Sequence, residues 1–140
     1  MGYLINNNPL SNYQKFIIPQ ADIIAGSYFL TTDLSTNKFW FCTFATFRLI
    51  NSTLPYTGFQ EISLRQTGGN FQGYLDLNSL PTPNTIETDY FYTFAYNTQA
   101  PPVEFGNYTT GPRYIFDLNG TYIAGNGDIE LHFYYNEITI

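Results

Sequence analysis

The only histidine of the chain, His132, lies in the segment GDIELHFYY with Glu130 two residues before it. On a strand, side chains two apart share a face, so this carboxylate and imidazole could meet as an acid/base couple. The same segment also reads as the two faces of one antiparallel strand, with Ile129, Leu131, Phe133 and Tyr135 inward and Asp128, Glu130, His132 and Tyr134 outward. A polar strand face needs no catalytic purpose to carry Asp128, Glu130 and His132, and that is the expectation here. No catalytic or metal-ligating residue is assigned.

The other chemical motifs are thin. The single cysteine, Cys42, and the single histidine are too far apart in sequence for a His/Cys zinc set,. The glycine-rich run NGTYIAGNGD, from Asn119 to Asp128, lacks the Lys and the following helix of a phosphate loop. It also lacks the recurring nonapeptide of a calcium-binding β-roll. Asp117, Asn119 and Asp128 are oxygen ligands suited to calcium, but two ordinary turns explain them more simply. N-x-[ST] sequons begin at Asn51, Asn107 and Asn119, which a chain this rich in Asn, Ser and Thr contains by chance,. No cofactor is implied, and the chain is not read as an enzyme.

Aromatic side chains are the distinctive feature, at 19% of the residues. KFWFCTFATFRLI, Lys38 to Ile50, is apolar on both faces if it is one straight strand, which leaves Trp40, Phe44 and Ile50 awaiting something outside the monomer. A bulge between Thr43 and Thr46 would instead change which residues face the core. The reading favours the straight strand. A second run places Tyr90, Tyr92, Phe94 and Tyr96 on one strand face. Phe105 and Tyr108 fall in the proline-bearing loop QAPPVEFGNYTTGP, from Gln99 to Pro112. Trp40, Phe44, Ile50, Tyr90, Tyr92, Tyr96, Phe105 and Tyr108 are therefore the interface or ligand candidates. Tyrosine suits an interface because its ring buries much area while its hydroxyl tolerates water.

The elements that must position these residues are strands. β-Branched and aromatic residues fill the apolar runs, and no helical period is sustained. Strands are expected near Gln14–Ile18, Ile23–Thr32, Lys38–Ile50, Phe59–Gln66, Phe71–Leu77, Tyr90–Asn97, Arg113–Leu118, Thr121–Ala124 and Ile129–Tyr135. TGGN should close one hairpin and Asn119-Gly120 a type I′ turn between two further strands. Gly26 and Gly73 read as bulges or close strand crossings. The expected fold is an antiparallel β-sandwich or jelly roll of about eight to nine strands, with a small closed β-barrel as the alternative. One domain spanning residues 1–140 is expected, with residues 1–13 as an extended N-terminal arm.

Composition narrows the function. The net charge is −6, with only 11% charged residues, less than half the usual share of about 25%. Five Lys plus Arg form no basic patch, which argues against nucleic acid and anionic membranes as partners,. The opening MGYLINNNPLSNYQ does not resemble a secretory signal, and no run is long enough for a membrane helix, so cytoplasmic synthesis is expected. The leading expectation is a structural or assembly protein that packs against other subunits, self or hetero. A viral coat or capsid-associated particle is its setting, suggested by a preference for Asn, Ile, Tyr and Phe. A carbohydrate-binding module is the alternative, and a small-barrel enzyme or carrier of an apolar ligand is the third.

Overall fold

The computed structural model describes residues 12–30, 38–66, 71–96 and 114–139. Among them run β1 (Asn12–Ile18), the short helix α1 (Gln20–Ala25), β2 (Ser27–Leu30), β3 (Lys38–Ile50), β4 (Tyr56–Gln66) and β5 (Phe71–Asp76). After a 3-10 turn at Leu77–Ser79 come β6 (Thr85–Ile86), β7 (Tyr92–Thr93), β8 (Ala95–Tyr96), β9 (Tyr114–Ala124) and β10 (Asp128–Thr139). One antiparallel sheet has the order β1-β10-β3-β7, and the other β2-β9-β4-β5-β8 with β6 paired to β4. β6, β7 and β8 are two residues each; with β7 kept and β6 and β8 left out, eight strands stand in the orders 1-8-3-6 and 2-7-4-5. Two interleaved Greek keys of this kind make a jelly roll. The sheets are not closed into a barrel.

The core fills the space between the two sheets. Phe47, Tyr56, Phe59, Tyr114, Phe116 and Phe133 are its largest fully enclosed side chains. Each contributes roughly 1.5–3 kcal/mol through burial of apolar surface. Rings interlock edge to face, with Phe47 and Phe116 centroids 5.7 Å apart and Tyr114 and Phe133 5.0 Å apart. Ile129, Leu131, Phe133 and Tyr135 of β10 all point inward, as the alternation of that strand requires.

Strand β3 is bulged, and this corrects the expectation of a straight strand. Tyr134 pairs with Phe44, but Tyr135 pairs with Cys42, so the register shifts and Thr43 is the inserted residue of β3. The extra residue reverses which parity faces inward. Cys42 is buried before it, and Ala45, Phe47 and Leu49 are buried after it. Beside the bulge the Cys42 N–H donates to the Tyr114 hydroxyl across the core, at 2.8 Å.

Two local expectations fail for tertiary reasons. The segment expected to begin a strand at Ile23 starts as α1, which is too short to show a period. Pro19 precedes it in extended conformation and Gly26 ends it in the left-handed region, its N–H bonded to the Asp22 and Ile23 carbonyls. Gly26 is thus a helix cap, not a bulge. Asn119-Gly120 is no hairpin turn, because β9 runs straight through it. Glu61 pairs with Asn119 and Phe59 with Gly120. Gly58 and Gly120 both have positive φ, and a Cβ on either would overlap the opposing backbone. The glycine serves a close approach of two irregular strands.

Other expectations hold in part. β4 and β5 pair as the two arms of a hairpin, although the TGGN segment lies outside the described residues. Gly73 lies against Ala95 and Phe94, a close strand crossing. The Tyr90–Asn97 run is broken into β7 and β8, which belong to different sheets. β1 begins at Asn12, so the last two residues assigned to an arm are strand. No helix among the described residues is long and apolar enough to cross a membrane.

Candidate functional site

The outer face of the β1-β10-β3-β7 sheet gathers the candidates of β10 and β3 into cross-strand rows. Tyr13, Tyr134 and Phe44 stand opposite one another on β1, β10 and β3. The next row is Lys15, His132 and Thr46, and the one after it Ile17, Glu130 and Arg48. In the aromatic row the centroids are 5.0 Å apart for Tyr13 and Tyr134 and 5.9 Å for Phe44 and Tyr134. Tyr13 is 48% exposed and Phe44 47%. Tyr134 between them is half-buried.

A polar chain crosses these rows. The Tyr13 hydroxyl lies 2.7 Å from His132 Nδ1, and its ring stacks on the imidazole at 5.8 Å. His132 Nε2 lies 2.7 Å from Glu130 Oε1, which also accepts from Arg48 Nε at 3.0 Å. A carboxylate can only accept, which assigns the neutral imidazole's proton to Nε2 and makes Nδ1 the acceptor for Tyr13. Partial burial opposes the charge of Glu130. Hydrogen bonds from His132 and Arg48, with their charges, outweigh it and hold the carboxyl below its ordinary 4.5. Partial burial, then Tyr134 and Glu130, push the Tyr13 hydroxyl above its ordinary 10.0. Arg48 finally lies 5.4 Å over the ring of Phe91, a cation–π contact,.

The outer face thus brings together Phe44, Glu130 and His132 of the sequence candidates. Asp128 is elsewhere engaged: its Oδ1 accepts from the N–H of Gln20, the first residue of α1. Ile50, opposite Asp128, is half-buried. Asp117 of the calcium reading is paired with Arg65. Tyr13, Arg48 and Phe91 escape the sequence reading, and alternation places Tyr134 outward without marking it as a candidate. The face of Arg48 depends on the bulge, and the neighbours of Tyr13 depend on β1 pairing with β10.

The Tyr90–Tyr96 ladder is not one face. Tyr90 is 61% and Phe91 65% exposed, whereas Tyr92 is 9% exposed and packs into the core. Tyr92 stacks on Phe47 at 5.2 Å, and Phe94 packs on Phe47 and Phe116. The Tyr92 hydroxyl accepts from the Glu87 N–H at 2.8 Å. Two clefts flank the exposed pair. A cleft of 350 Å³ lies between the Leu75–Thr85 side and the Glu87–Thr93 side, and one of 190 Å³ between Arg48 and the turn at Thr88–Phe91.

These clefts sit near an end of the sandwich where connections are tied together. Asn126 Oδ1 accepts from the N–H groups of Thr53 and Leu54, and the Gly58 N–H donates to the Asn84 carbonyl. The side chains of Trp40 and Tyr96, and all of Phe105 and Tyr108, lie outside the described residues. Among the described residues no group of three His, Cys, Asp or Glu gathers as metal ligands. Comparison of the chain with models of known protein families, with curated protein sequences and with solved structures finds no match.

Proposed function

We propose that the protein is a non-enzymatic assembly module whose β1-β10-β3 outer face packs against another protein subunit. The observation that carries this reading is the exposed row Tyr13, Tyr134 and Phe44, which spans three neighbouring strands. Isolated exposed rings are ordinary, whereas a contiguous row marks a contact surface. Tyrosine and phenylalanine are also the residues that interfaces favour, and Arg48 at the end of the polar chain adds a third favoured type. The polar chain from Tyr13 to Arg48 holds these groups in fixed orientation, so less side-chain freedom is lost on packing. The jelly roll supports the reading by analogy alone, since viral capsid and lectin domains share it. A coat or capsid-associated particle is the setting that such a module would serve.

The imidazole of His132 fits the same reading. Both of its nitrogens are committed, to Tyr13 and to Glu130. Neither of the two clefts at Tyr90 and Phe91 is lined by it. Light scattering over a wide concentration range tests the proposal, together with affinity capture using purified candidate subunits. Association that a Tyr13→Ser, Phe44→Ser double variant abolishes is expected. A protein that stays monomeric at high concentration and captures no subunit would overturn it.

A further inference from the structure

We infer that the cleft beside Tyr90 and Phe91 is a binding site for a neutral sugar. At 350 Å³ it falls within the range of ligand clefts, roughly 300–1,000 Å³. Two features specify the occupant. Tyr90 and Phe91 present largely exposed rings at its margin. The face of an aromatic ring is electronegative and attracts the weakly positive C–H groups of a pyranose. Tyr92 supplies the second feature. It lines the cleft, is nine-tenths buried, and accepts from the Glu87 N–H. Its own hydroxyl hydrogen is not used in that bond and can donate to a ligand oxygen in the cleft,.

Polar groups around the rings match hydroxyls better than they match an apolar or an anionic ligand. The Glu87 carboxylate and the Thr82 and Thr93 hydroxyls also line the cleft. Carboxylates accept strongly from sugar hydroxyls. The same carboxylate and the overall charge of −6 disfavour phosphates, sulfates and acidic sugars,. An alkyl ligand would strip water from Glu87 and Tyr92 and return nothing.

The site shares no residue with the Tyr13, Tyr134 and Phe44 row, so it stands or falls independently of the assembly reading. Calorimetric titration of the full chain with neutral hexoses, N-acetylhexosamines and their short oligomers tests it, with sialylated and sulfated glycans as the contrast. Binding of at least one neutral sugar is expected. It should weaken about tenfold or more in Tyr90→Ala or Phe91→Ala, and several-fold in Tyr92→Phe. Tyr90 and Phe91 are exposed, so those variants fold whether or not Tyr92→Phe does. No neutral sugar bound at about 10 mM, a preference for acidic glycans, or binding indifferent to Tyr90→Ala and Phe91→Ala would each overturn the inference.

Discussion

Phe44 and Phe47 stand three residues apart on one strand, and the bulge at Thr43 makes opposite predictions for them. Phe47 is fully enclosed, stacked on Tyr92 and set edge-on to Phe116. Truncating such a ring leaves a cavity as well as removing apolar surface, so Phe47→Ala should cost about 3–5 kcal/mol. For a chain of 140 residues the unfolding entropy is about 0.3 kcal/mol per kelvin, which converts that cost to a drop in Tm of roughly 10–17 °C. Phe44 is 47% exposed on the outer face and touches Tyr134. Its truncation loses one cross-strand pair, about 0.2–1 kcal/mol, or a drop of about 1–3 °C. Thermal and urea unfolding of both variants measure the difference, and light scattering then asks which variant loses association. Phe44→Ala should lose it while remaining folded. Equal destabilisation by the two substitutions, or a Phe47→Ala protein as stable as the parent, would refute the placement of the bulge and the face built on it.

Other perturbations test separate parts of the structure. The Glu130 carboxyl is held below its ordinary value, so its contribution is fully present above pH 4.5 and is lost as pH falls through the folded value,. Arg48 is largely exposed, so the contribution is about 0.2–1 kcal/mol, and the unfolding free energies of wild type and Glu130→Gln should converge in acid,. Convergence towards alkaline pH would contradict the sign. Burial pushes the Cys42 thiol up to about 12, so an aromatic disulfide reagent at mildly alkaline pH should react about a hundredfold more slowly with folded than with unfolded chain. Gly120→Ala should destabilise by more than the ~1 kcal/mol of an ordinary glycine replacement, because backbone of β4 occupies the place of the new methyl,. Near-neutral behaviour in urea unfolding would return Asn119-Gly120 to an open turn. Tyr56→Phe removes the bond from a fully buried hydroxyl to the Gly127 carbonyl, and should cost about 1–2 kcal/mol by the same measurement.

Composition and periodicity determined the all-β class, most strand positions and the two faces of β10. These are local properties: alternation of Ile129, Leu131, Phe133 and Tyr135 with polar neighbours has one economical solution, a half-buried strand. The sequence also marked Phe44, Glu130 and His132 as residues of one kind or another of surface. It did not reveal that Tyr13 and Arg48 stand beside them, because strand neighbours are chosen by sheet order, which here joins residues 119 and 82 positions apart. Glycine was the most misleading signal. Its freedom from a Cβ serves a turn, a helix cap or a close strand crossing equally, and only the opposing backbone decides which. At Gly120 that backbone is β4, so a dipeptide suited to a type I′ turn lies within a continuous strand. Tertiary structure likewise decided the two-faced apolar run of β3. One extra residue at Thr43 turns Cys42 and Ala45 to the same core, and leaves Phe44 outside.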